Sequence, residues 1–202
     1  MRYLLVGLLF LAGCSPSVAP SQSPPVGNSS APSVAGSASP SPTCSPIGGT
    51  AAPCSPDEYA RVEAQNKLVN EAIAVYRRWN KESNRLYRVG GTTSVTPEMA
   101  ATTAGESQKS VLAIFQDARA AGIRATSGAI RIVRIEPHGT TEERGGVALR
   151  ACIDGSSLTF EKDGKRIGTG SLATEDLVMK PVDGQMKMWS ARSWKVKSCT
   201  AS

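Results

Sequence analysis

Five cysteines and a single histidine are the side chains of this 202-residue chain with the most distinctive chemistry. A cysteine sulfur can pair, bind a metal, attack an electrophile or be acylated, and its surroundings decide which. Cys44, Cys54, Cys152 and Cys199 form an even set, and no Cys-x-x-Cys or Cys/His cluster places ligands at zinc spacing. Disulfide chemistry suits such a set, and four cysteines admit three pairings. Cys14 stands apart from them, directly behind an apolar run. With only His138, a multi-histidine metal site is excluded, and Pro137-His138-Gly139 reads as a surface turn.

The acids and hydroxyls give no catalytic set. Asp154 sits at a strand end, but Asp before Gly is a standard turn pair and its strand parity faces outward. Asp117 and Glu136 are single acids with no partner that the sequence locates. A Ser-His-Asp arrangement lacks a Gly-x-Ser-x-Gly elbow, and Gly168-Thr169-Gly170 is too short for a phosphate loop. The residues therefore lead us to expect no catalytic machinery, no metal and no cofactor.

The elements that must position these groups follow from periodicity. Ser55-Pro56-Asp57-Glu58 is a helix start, with Ser55 as cap, Pro56 at the first position and Glu58 where a capping box places its acid. Val62, Val69, Ile73 and Tyr76 fall on one face, with Leu68, Ala72, Val75 and Trp79 beside them. That helix should reach about Tyr87 and stop at Gly90-Gly91. Thr96-Pro97-Glu98 opens a second helical stretch, Thr103 to Glu106 restarts it, and Gly122 ends it. Val111, Leu112, Ile114, Phe115 and Ala118 supply its buried face.

From Ala129 the period is two. Strands are expected at 129–136, 147–154, 158–162, 165–167, 177–182 and 185–196, with Asp163-Gly164 and Asp183-Gly184 as hairpin turns. In the final strand Trp194 and Val196 are expected to point inward and Lys195, Lys197 and Cys199 outward. Cys152 also falls on the polar outer face, beside Arg150 and Asp154. Cys152–Cys199 is therefore the favoured cross-strand pair, leaving Cys44–Cys54 to close a small loop. Helices followed by antiparallel strands predict an α+β domain, with the helices on one face of a curved sheet. Trp79, Phe115 and Trp194 are the candidates to line a cavity between the two layers.

Residues 15–55 carry no charged side chain and are mostly Ser, Pro, Ala, Gly and Thr. Such a stretch has too little apolar area to offset chain entropy, so a disordered tether is expected, with a reach of roughly 35 Å. Charge begins at Asp57, and only Arg2 precedes it. Without Arg2, 22 basic face 17 acidic side chains, a formal +5. The signs are interspersed, which predicts a mixed solvated surface and no nucleic-acid partner.

Arg2, the apolar run Tyr3 to Leu11, and the small Ala12 and Gly13 have the layout of a secretory signal. The run is about half the roughly 20 residues that a bilayer span needs. Leu11-Ala12-Gly13-Cys14 closely resembles the lipobox of bacterial lipoproteins. That resemblance implies a diacylglycerol on Cys14, cleavage just before it, and anchorage on the extracytoplasmic face of the cell membrane. Export fits disulfides. The organisation expected is a signal peptide at 1–13, the lipidated Cys14 with its tether at 14–55, and one domain at 56–202.

The run Val147 to Ser156, then Lys162-Asp163-Gly164-Lys165 and Trp194-Lys195-Val196, is similar to a group of small actinobacterial lipoproteins. The order of elements resembles the nuclear transport factor 2-like superfamily, which includes the SnoaL-like cyclases. This implies a cone-shaped α+β domain, and many members form homodimers through the open sheet face. The function expected is a non-enzymatic envelope module that binds a protein or a ligand. The alternatives are a carrier of a small apolar ligand in the cone, or a SnoaL-like lyase or isomerase that needs an ionisable group there.

Overall fold

A helix of 34 residues, α1 (Pro56–Val89), spans about 51 Å and carries one side of the core. The Ser55 hydroxyl accepts from the Glu58 amide at 3.2 Å, and Pro56 occupies the first turn, where its missing N–H costs nothing. Gly90, at φ 76°, ends the helix in the left-handed conformation, and the Gly91 amide returns to the Leu86 carbonyl at 2.8 Å. Val69, Ala72, Tyr76, Trp79, Ser83 and Leu86 recur at intervals of three and four and are all buried. The computed structural model describes residues 41–139 and 146–199, which belong to a unit spanning Pro40–Ser202. The expected signal segment, Cys14 and most of the tether lie outside the described residues.

The end of the expected tether is folded. Strands β1 (Thr43–Cys44) and β2 (Ala52–Pro53) pair antiparallel, and Cys44 bonds to Cys54. Cys44 is buried and Ile47 packs against the core. Asn66 of α1 clamps the loop, accepting from the Ile47 amide and donating to the Ser45 carbonyl, both at 2.9 Å. The folded unit therefore starts before residue 56. A ring closed by a disulfide across ten residues, with two hydrogen bonds to a helix, holds its shape without a core of its own, which composition does not register.

Two further helices follow, α2 (Pro97–Thr102), capped by Thr96, and α3 (Gly105–Ala121), ended by Gly122. Strands β3 (Ile123–Ser127), β4 (Arg131–Pro137), β5 (Val147–Asp154), β6 (Thr159–Lys162), β7 (Lys165–Thr169), β8 (Leu172–Val182) and β9 (Gln185–Lys195) complete the described chain. They form two antiparallel sheets, in the orders β4-β5-β8-β9 and β3-β6-β7, instead of one curved sheet. The architecture is α+β, with helices packed on antiparallel sheets.

Glycines make the corner between the sheets. The chain passes from β5 to β6 at Gly155 and from β7 to β8 at Gly170, and a Cβ on Gly170 would collide with the Gly155 carbonyl. Gly128, at φ 76°, lies as close to the Ser157 carbonyl where β3 gives way to β4. The inner face of the larger sheet carries Val147, Leu149, Ala151 and Ile153 of β5 and Leu177 and Met179 of β8. These pack on Tyr76, Trp79, Leu86, Met99 and Phe115 from the helices to form the core. Among the described residues no helix is long and apolar enough to cross a membrane.

Candidate functional site

Between α1, α3 and the inner faces at the sheet corner lies a cavity of about 300 Å³. Its wall is aromatic. Trp79 and Phe115 meet edge-on at 6.2 Å and 68°, Tyr87 meets Phe115 at 4.9 Å and 61°, and Tyr87 meets Phe160 at 5.5 Å and 73°. Edge-to-face contacts of this kind lock ring orientation. Val111, Ile130, Ile153, Leu158 and Ala173 supply aliphatic surface, and the half-exposed Ile114 marks the rim. Gly155 and Gly170 line it too, so the corner that bends the sheet also shapes the cavity.

Besides the aromatic residues, four polar residues line this mainly apolar space: Ser83, Ser171, Ser193 and Glu175. Glu175 is fixed in place by the Tyr76 hydroxyl, which donates to its Oε2 at 2.6 Å. Burial pushes the Glu175 carboxyl above its ordinary range, against the opposing hydrogen bonds of Tyr76 and Ser193. The Tyr76 phenol is driven upward by burial first and by the neighbouring carboxylate second. Tyr87 is raised by the same two causes. One acid, desolvated and held by a buried tyrosine inside an aromatic cavity, is an arrangement that binds or transfers protons.

Of the residues expected to line the cavity, Trp79 and Phe115 do so, at 7% and 2% exposure. Trp194 does not. Its register partner is Thr174, which in turn pairs with Cys152, so all three share the outer face of the larger sheet. There Trp194 lies under the Arg150 guanidinium at 5.7 Å, while Arg150 grips Asp176 with bonds of 2.7 and 2.9 Å. A classical count of alternation misassigns it because β8 and β9 shift register between Val178 and Met179.

Cys152 is bonded to Cys199 on that outer face. Two strand spacings of about 4.8 Å separate β9 from β5, yet the Cys152 and Cys199 Cα atoms are 5.7 Å apart. The segment after Val196 therefore leaves β9 and crosses over β8. Asp154 accepts from the Ser156 amide and hydroxyl at 2.9 and 2.6 Å and from Arg131 at 2.8 Å, which lowers its carboxyl to about 2. That is turn chemistry on the outer surface. His138 is exposed beside its Gly139 turn, and Asp117 has no place in the cavity wall. Glu136 contacts Arg134 at 3.6 Å on the outer side.

Glu175 escapes a sequence reading because the strand is expected to begin at Leu177, whereas β8 begins at Leu172. Extending the alternation Met179, Leu177 backward by two places an acid at an inward position. That is the signal that finds it.

Other concavities offer less. A space of about 360 Å³ beside Arg61 and Val69 borders Gly139, at the edge of the described segment. One of about 500 Å³ is lined by Arg78, Lys81, Glu82, Arg85 and Glu98, where Arg78 pairs with Glu98 and Arg85 with Glu82. Among the described residues no group of three His, Cys, Asp or Glu side chains is placed to hold a metal.

No known family model and no curated protein matches this sequence. Among solved structures, the chain is similar to the intermembrane space region of the chloroplast protein ARC6. The TM-score is 0.43 at 11% identity, over 63% of this chain and 97% of that one. A likeness of that degree leaves the function to be argued from the site.

Proposed function

We propose that this chain is a lipid-anchored envelope protein whose domain binds a small, largely apolar molecule in the cavity between α1, α3 and the sheet corner. The cavity itself carries the reading: about 300 Å³, walled by Trp79, Tyr87, Phe115 and Phe160, with a single acid facing in. Binding sites for small molecules are typically concave and mostly apolar, with a few placed polar groups. The lipobox-like Leu11-Ala12-Gly13-Cys14 supports the anchor, and the charge-free stretch behind it supports a spacer that lifts the domain from the membrane. The order of helices followed by antiparallel strands is what supports a resemblance to nuclear transport factor 2-like domains, and a cavity between the two layers suits a carrier.

A neutral fluorescent probe tests the reading. N-phenyl-1-naphthylamine titrated into the full-length protein should give saturable, one-to-one fluorescence enhancement. Ala173→Leu, which fills the cavity from β8, should abolish it while leaving the circular dichroism unchanged. No enhancement, or equal enhancement in the filled variant, contradicts the proposal.

Glu175 favours a second reading, a lyase or isomerase that uses this carboxyl as its acid–base group. A raised carboxyl beside a phenol is suited to proton transfer. Turnover of a bound compound that is lost in Glu175→Gln, with binding retained, distinguishes this from simple carriage.

A further inference from the structure

An apolar body accounts for most of the cavity wall but not for Glu175. Tyr76 and Ser193 both meet this carboxylate through hydroxyls, which hydrogen-bond to its charge without neutralising it. Among the described residues, no lysine, arginine or histidine lines the cavity. A carboxylate has about four acceptor positions, so the Tyr76 and Ser193 bonds leave about half of its capacity free. Around it stand Trp79, Tyr87, Phe115 and Phe160, whose ring planes are steeply inclined to one another. Aromatic faces attract cations within about 6 Å, more strongly once water is excluded.

We infer that the cavity selects a small organic monocation, its ammonium head against the Glu175 carboxylate and its apolar body along the aromatic wall. This inference rests on the cavity reading above and names the chemical class of its ligand. A neutral occupant leaves the carboxyl without a countercharge and so favours its protonated form, whereas a cation supplies the partner that the ionised form lacks.

The groups facing Glu175 also fix the pH dependence. Tyr76 and Tyr87 approach from α1, Ser193 from β9 and Ala151 from β5, and the α3 side is apolar. Both phenols are held above their ordinary range and stay neutral. Glu175 is thus the titrating group, and affinity for a fixed cation rises with pH through its ionisation and then levels off.

Phenyltrimethylammonium and its neutral isostere tert-butylbenzene test this, because they match in shape and differ in charge. Calorimetric titration of the full-length protein near pH 8 should show the cation binding at least about tenfold tighter. The preference should shrink near pH 5 and vanish in Glu175→Gln, with tert-butylbenzene affinity unchanged. Glutamine keeps the shape and can still accept from Tyr76, so the fold is preserved. Equal binding of the two probes, or a preference that survives Glu175→Gln, overturns the cation inference and leaves the cavity reading intact. Binding of neither probe overturns both.

Discussion

The Tyr76 hydroxyl donates to Glu175 Oε2 at 2.6 Å, joining the middle of α1 to the inner face of β8 across 99 residues of sequence. This bond holds the one acid among the described residues lining a mainly apolar cavity in a fixed direction. It also makes Glu175 a group whose ionisation works against folding.

Glu175→Gln should leave the protein more stable at neutral pH. Burial raises the carboxyl in the folded state, so the folded protein binds its proton more tightly than the unfolded chain does. For this group stability is greatest below the unfolded value of about 4.5 and declines as pH rises through the folded value. Glu82, lowered mainly by Arg85, runs the other way and loses its contribution as pH falls. Urea midpoints measured from pH 4 to pH 8 should therefore show the variant gaining on the wild type toward high pH. A constant difference would mean that Glu175 is not desolvated. Tyr76→Phe should cost about 0.5–3 kcal/mol, the range for losing a hydrogen bond to a carboxyl group.

The two disulfides should differ in weight. Cys152–Cys199 closes a separation of 47 residues and Cys44–Cys54 one of 10. Loop-closure entropy gives about 4 kcal/mol for the first and about 2.7 kcal/mol for the second. Paired Cys→Ala variants in guanidinium unfolding should follow that order. A larger loss from the Cys44–Cys54 pair would show that the small ring stabilises α1 through contacts instead.

Much of this fold was legible in the chain, for identifiable reasons. Ser55-Pro56, Gly90 and Gly122 bound helices through chemistry that acts within a few residues, and periodicity in α1 points to its buried face. The outward parity of Cys152 survives because β5 runs without a bulge against β8. Trp194 was misread because one bulge between Val178 and Met179 reverses the parity beyond it, and a bulge leaves little trace in residue types. The fold of residues 41–55 depends on a crosslink and on Asn66 of α1, neither of which composition reports. The cavity was legible only in part. Trp79 and Phe115 lie on visible stripes, while Glu175 sits where β8 begins five residues earlier than its apolar core suggests.

Phe115→Ala should be among the most damaging single changes at the cavity. Phe115 is 2% exposed and meets both Trp79 and Tyr87 edge-on. Phenylalanine truncations in cores typically cost about 3–5 kcal/mol. Thermal unfolding should show a correspondingly lower midpoint, and the enlarged cavity should weaken N-phenyl-1-naphthylamine binding. An effect below about 1 kcal/mol would mean that the rings are loosely packed.

Cys14→Ser should move the protein from the membrane to the soluble or unprocessed fraction, because the lipobox reading gives it no other anchor. Fractionation with intact-mass analysis reads this directly. Unchanged membrane retention and unchanged mass would contradict lipidation.

The central claim is that the cavity holds a small molecule in the cell. Native mass spectrometry of the full-length protein, extracted in mild detergent from the cells that make it, tests it most directly. The account predicts a bound small molecule at one per chain, released on denaturation and missing from Ala173→Leu. Bare protein, or the same adduct on the filled variant, would contradict it.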